Sequence, residues 1–115
     1  MRTRRYLGEL ELMLLLAVIR LGEEAYGVTI SRELESHHHR SVSLGSVYAA
    51  MERLEVKGLV ISSLGDPTPE RGGKAKRYFR ITKQGLRQVH ETRRTLTRMW
   101  KALPEASLEL RWEDS

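Results

Sequence analysis

The sequence predicts a mainly α-helical protein with a small two-stranded antiparallel sheet, and three observations lead there. The stretch 43–57 repeats apolar residues at helical spacing, with Leu44, Val47, Tyr48, Met51 and Leu54 on one side. Its other side carries Ser43, Ser46, Ala49, Ala50 and Arg53, small or basic, against the acidic Glu52. Directly downstream, residues 59–82 form a glycine-broken hairpin that carries Arg71, Lys74, Lys76, Arg77 and Arg80. Beyond Thr82 a long helix with a regular apolar seam closes the pattern. Helix, turn, helix and basic hairpin, in that order, make a winged helix-turn-helix, here followed by a long C-terminal helix.

Each element has its own signal. The first helix spans about residues 8–21 and stops at Gly22, a residue suited to the left-handed conformation that ends helices. It is apolar almost all round, so it needs cover on more than one side, part of which a second chain can supply. The second helix runs from near Ala25 to His37, with Tyr26, Ile30 and Leu34 at four-residue spacing. Gly27 in its first turn costs helix propensity, which points to a close approach of the backbone to some other group. Residues 38–42 connect to the third helix, which opens on Ser43 as N-cap and ends at Gly58.

Strands are expected at 59–64 and 76–81, the second placing Phe79 and Ile81 on one face and Tyr78 and Arg80 on the other. Between them, residues 65–73 hold Pro67, Pro69, Gly65, Gly72 and Gly73 and read as an exposed loop. Thr82 caps the last helix, which extends to about Leu103 ahead of Pro104.

In that last helix Leu86, Val89, Arg93, Leu96, Trp100 and Leu103 step alternately by three and four, a heptad seam interrupted only by Arg93. The helix outruns a domain this small, so the seam predicts pairing with a twin chain, with Leu10 and Leu14 of the first helix completing the interface. Trp100 is first of all a packing residue; at a two-fold interface, beside Met99, it also offers a wall for a flat apolar or aromatic effector. The expected organisation is a winged-helix head over residues 1–82, a dimerisation helix over 83–104 and a short tail over 105–115.

Composition narrows the function classes. A chain of 115 residues is one domain, and a net charge of +5 with pI near 9.9 favours an anionic partner, nucleic acid first among them. With no cysteine there is no disulfide framework and no thiolate metal site, which suits a reducing cytoplasm. Arg2, Arg4 and Arg5 ahead of the apolar run 12–19 imitate an export signal. However, Glu9 and Glu11 intervene, and the run falls well short of the roughly 20 residues that a membrane span needs. No membrane partner is expected.

No nucleophile elbow, phosphate-binding loop or zinc-protease helix is present, so neither an enzyme nor a cofactor is expected. His37, His38 and His39 are consecutive, and neighbours on a helix point about 100° apart, so two at most share one ion. A metal-responsive regulator using these histidines remains an alternative, but no metal site is predicted. Cations on the wing neutralise phosphates and release counterions, which supplies affinity without sequence information. A small-residue helix face also suits protein docking, which is the other alternative. The order of the elements favours DNA.

These residues together resemble the PadR family of bacterial transcriptional regulators. The resemblance rests on Leu7-Gly8-Glu9-Leu10-Glu11, Ala25-Tyr26-Gly27-Val28, Ser43-Leu44-Gly45-Ser46-Val47-Tyr48 and Arg53-Leu54-Glu55-Val56-Lys57-Gly58-Leu59-Val60. The stretch from Gly72 to Gly85 completes it. It implies a cytoplasmic homodimer whose two heads sit on the half-sites of a palindromic operator about 34 Å apart, usually repressing a nearby gene. Carried over by position, it implies that Tyr26 and Gly27 meet the phosphate backbone and that Ser43, Ser46, Tyr48 and Ala49 lie on the recognition helix. Lys76 and Arg77 match the basic wing strand. Tyr48 also falls partly on the core stripe by periodicity. Some relatives respond to phenolic acids or hold flat aromatic drugs between tryptophans of the last helix, the region in which Trp100 falls.

Overall fold

The computed structural model describes residues 7–37, 42–66 and 75–106. Helix α1 (Glu9–Leu21) leads through a 3₁₀ turn (Gly22–Glu24) to α2 (Gly27–His37) and then α3 (Leu44–Val56). Strands β1 (Val60–Leu64) and β2 (Arg77–Ile81) form the hairpin, and α4 (Lys83–Lys101) follows. The strands pair antiparallel in the register Val60↔Ile81 to Leu64↔Arg77.

Helix α1 starts where the Gly8 N–H donates to Glu11 Oε1 at 3.2 Å, and it ends on Gly22 at φ +59°. Its apolar surface divides unevenly. Leu14, Leu15, Ala17 and Val18 are buried in the protomer's own core, whereas Leu16 and Ile19 are 47% and 40% exposed. Leu14, expected at an interface, is thus spent on the protomer's own core, and the apolar side chains that this helix leaves exposed are Leu16 and Ile19.

Helix α2 begins later than its periodicity suggests. The Ala25 carbonyl accepts from the Phe79 N–H at 2.8 Å, and Tyr26 pairs with Tyr78 as an isolated antiparallel bridge. Extended pairing with β2 satisfies backbone groups that a helix would otherwise claim, so the helix waits until Gly27. The Thr29 hydroxyl accepts from the Tyr26 N–H at 3.0 Å and donates back to the Glu24 carbonyl.

Helix α3 is capped at both ends. Ser43 Oγ accepts from the Ser46 N–H at 3.1 Å. At the other end the Gly58 N–H reaches the Glu55 carbonyl and the Leu59 N–H reaches the Leu54 carbonyl, each at 2.9 Å, with Gly58 at φ +80°. This left-handed stop turns the chain into β1. Thr82 then ties three elements together: its N–H donates to the Leu59 carbonyl, its hydroxyl donates to the Gly58 carbonyl at 2.7 Å and accepts from the Gly85 N–H at 3.0 Å.

A single core runs from α1 through Ile30 and Leu34 of α2 and Val47, Ala50, Met51 and Leu54 of α3 to Val60, Phe79 and Val89. Only the first turns of α4 join it. Gly85 and Val89 are buried, and every position from Leu96 to Lys101 is exposed.

Candidate nucleic-acid interface

The reading face of α3 is set by its core stripe. Val47, Ala50, Met51 and Leu54 point inward at spacings of three, one and three, which leaves Ser43, Leu44, Gly45, Ser46, Ala49, Glu52 and Arg53 exposed. Two residues change sides relative to the sequence expectation. Ala50 is fully buried, and Leu44, in the first turn and beyond the core, is 41% exposed. Ser43 Oγ also lies 2.9 Å from Ser46 Oγ, so the two hydroxyls form one unit at the helix start.

Tyr48 is half-buried, and its phenol ring lies where a side chain at Gly27 would stand. The close approach that Gly27 permits is thus to Tyr48 of α3. Gly27 is itself buried, at the first position of α2. What faces outward at this corner is Tyr26. Its ring meets Tyr78 edge-on at 5.3 Å, Lys76 Nζ sits 4.3 Å over it, and the same ammonium donates to its hydroxyl at 3.3 Å. A cation held over an aromatic face keeps its position at modest entropic cost.

Arg77 pairs within the protomer. Its Nη2 donates to Glu55 Oε1 at 2.7 Å and its Nε to Ser62 Oγ at 3.2 Å. Pairing with a carboxylate at that distance engages one edge of the guanidinium within the protomer, and the side chain stays about a third exposed. Arg71 and Lys74 lie outside the described residues. Arg53 is exposed on α3.

The expected dimer seam splits in two. Val89 is consumed by the protomer's own core, and Leu10 is half-buried against it. Leu86, Leu96, Met99, Trp100 and Leu103 are exposed, Trp100 by 67%, with Arg93 exposed among them. Met99 and Trp100 therefore stand on the outside of the protomer. An open apolar groove of about 250 Å³ between α1 and α2, lined by Met13, Leu16, Ala17 and Leu34, was not visible in the sequence pattern. At its rim Glu33 Oε2 accepts from Arg20 Nε at 2.8 Å and lies 3.1 Å from His37 Nε2. Among the described residues no three histidines or carboxylates are grouped to hold a metal; His38 and His39 lie outside them.

Glu11 links α1 to α3. Burial pushes its carboxyl up, but Lys57 Nζ at 2.6 Å, the Gly8 N–H and the charges of Lys57 and Arg53 outweigh this and hold it below its ordinary value of 4.5.

Comparison with known proteins decides the family. The family model for PadR-like transcriptional regulators matches residues 15–91. The chain belongs to the PadR-like family. This PadR-like protein is 36% identical over 73 residues to the transcriptional regulator Rv3488 of Mycobacterium tuberculosis, covering 64% of each chain. It is 32% identical over 87 residues to an uncharacterised protein of Lysinibacillus sphaericus, covering 74% of this chain and 73% of that one. Among solved structures, a PadR-like transcriptional regulator from Bacillus cereus superposes with a TM-score of 0.70 at 25% identity, covering 89% of this chain and 93% of the other. A PadR-family regulator from Eggerthella lenta gives 0.65 at 27%, covering 90% and 88%. The PadR-like protein is therefore a winged-helix transcriptional regulator. Among the described residues no helix is long and apolar enough to cross a membrane.

Proposed function

We propose that this PadR-like protein is a sequence-specific DNA-binding repressor, acting in the cytoplasm as a homodimer on a palindromic operator. The observation that carries this reading is the outward face of α3, where Ser46, Ala49 and Arg53 are exposed on short or flexible side chains beside the Tyr26–Lys76 corner. Such a face enters a major groove without steric obstruction, and its hydroxyls and guanidinium read base edges. Lys76, with Arg71 and Lys74 of the wing, and the hydroxyl of Tyr26 serve phosphates. Residues 1–82 act as the head and 83–104 as the dimerisation helix, whose exposed Leu96, Trp100 and Leu103 support pairing with a second copy. An apolar or aromatic effector held near Met99 and Trp100 of the assembled dimer would relieve repression.

Capture of sheared source-genome DNA on the purified full chain tests this. Enrichment of a few fragments that share an inverted repeat is the expected result. Uniform salt-sensitive retention would reduce the reading to backbone binding, and no retention would overturn it.

A further inference from the structure

Between the recognition helix and the wing lies a closed ring of polar contacts that base reading and phosphate binding do not use. Glu55 sits in the last turn of α3 with both carboxylate oxygens engaged. Oε1 accepts from Arg77 Nη2 of β2 at 2.7 Å, and Oε2 accepts from Ser62 Oγ of β1 at 2.8 Å. Ser62 Oγ accepts in turn from Arg77 Nε at 3.2 Å. The guanidinium carbon lies 5.3 Å over the ring of Phe79, whose side chain belongs to the core. Helix, first strand and second strand are thus joined through one carboxylate.

A two-stranded ribbon is marginal on its own, so its angle to the rest of the domain is set by whatever ties it down. Charge-assisted hydrogen bonds of this length are the strongest ties available there. We propose that Glu55 is a positioning residue for DNA binding: it latches the hairpin to α3 so that wing cations and reading face meet one duplex in fixed register. The proposal rests on the DNA-binding reading above. It assigns an acidic residue a favourable part in holding a polyanion, opposite to what its charge alone would do.

That opposition makes the test sharp. Binding of a mixed-sequence duplex of about 30 base pairs is measured for the full chain over a range of salt. Glu55→Gln is expected to weaken binding about tenfold, the loss of charged hydrogen bonds at one site. The salt slope should fall by about one or more as wing cations lose their phosphates. Glu52→Gln, on the exposed neighbour 3.9 Å from Arg77 Nη1, removes the same charge and is expected to tighten binding. The exchange Glu55→Arg with Arg77→Glu keeps the net charge and should recover most of the loss.

Thermal unfolding checks that each variant is folded. Should Glu55→Gln fail to fold, Ser62→Ala is measured instead, with a smaller weakening expected. Binding by Glu55→Gln (or Ser62→Ala) as tight as wild type or tighter overturns the proposal and leaves the DNA-binding reading intact. A loss that the exchange does not repair also overturns it. Failure of the wild type to bind any duplex removes the DNA-binding reading itself.

Discussion

Adding one methyl group at Gly27 sets it against the hydroxyl and ring of Tyr48, and at Gly85 against the Leu59 carbonyl and Ile81 Cγ1. At Gly85 the obstacle is backbone, so Gly85→Ala is expected to cost about 1–3 kcal/mol, whereas at Gly27 it is the tip of the half-buried Tyr48 ring, which can shift, so Gly27→Ala is expected to cost less. Gly45→Ala in α3 meets nothing within 4 Å and should leave stability equal or slightly raised by helix propensity. Thermal unfolding of the three variants separates these outcomes. Glu11 makes the second residue-scale prediction. Its carboxyl is held below 4.5, so its pairing stabilises the fold fully above that pH and is lost as pH falls through the folded value. Glu11→Gln should therefore cost about 1 kcal/mol near neutrality, and its denaturation midpoint should converge with wild type in acid. A difference that persists unchanged below pH 4.5 would contradict this role for the carboxylate. Gly27 shows what the sequence could and could not tell: its cost to the helix signalled a close contact, but a local pattern cannot name a partner in another element. Arg77 is a parallel case: its charge is visible in the sequence, and the carboxylate 22 positions away with which it pairs is not.

Whole elements were easier to read, because their signals repeat. The N-cap serine of α3, its left-handed stop at Gly58 and the alternation of β2 each involve neighbours in sequence, and the structure places the helices and strands within a few residues of expectation. The start of α2 was not legible, since a bridge to Tyr78 from far downstream decides it. Helix α4 shows the limit of periodicity most plainly. One seam was visible, yet Val89 within it packs on the protomer's own core, while Leu86 before it and Leu96, Trp100 and Leu103 after it are exposed. At this scale we expect Leu96→Asp with Trp100→Glu to yield a folded monomer by light scattering, with helix content reduced over the last turns of α4. A dimer that survives both changes would place the interface elsewhere.

For the molecule as a whole, the corner of Tyr26 and Lys76 meets α3 where Tyr48 lies against Gly27, while the exposed end of α4 extends beyond the core. The DNA-binding and self-association roles proposed above thus draw on separate surfaces. The distal end of α4, about 9 Å of helix from Leu96 to Lys101, is exposed among the described residues. Under the homodimer proposed above, that end gains its cover from a second copy. If two copies must meet before an operator is held, occupancy at low abundance follows the square of the copy number, and halving the number of chains lowers it about fourfold. The exposed leucines and tryptophan would then make the cell's response to this regulator steeper than its supply.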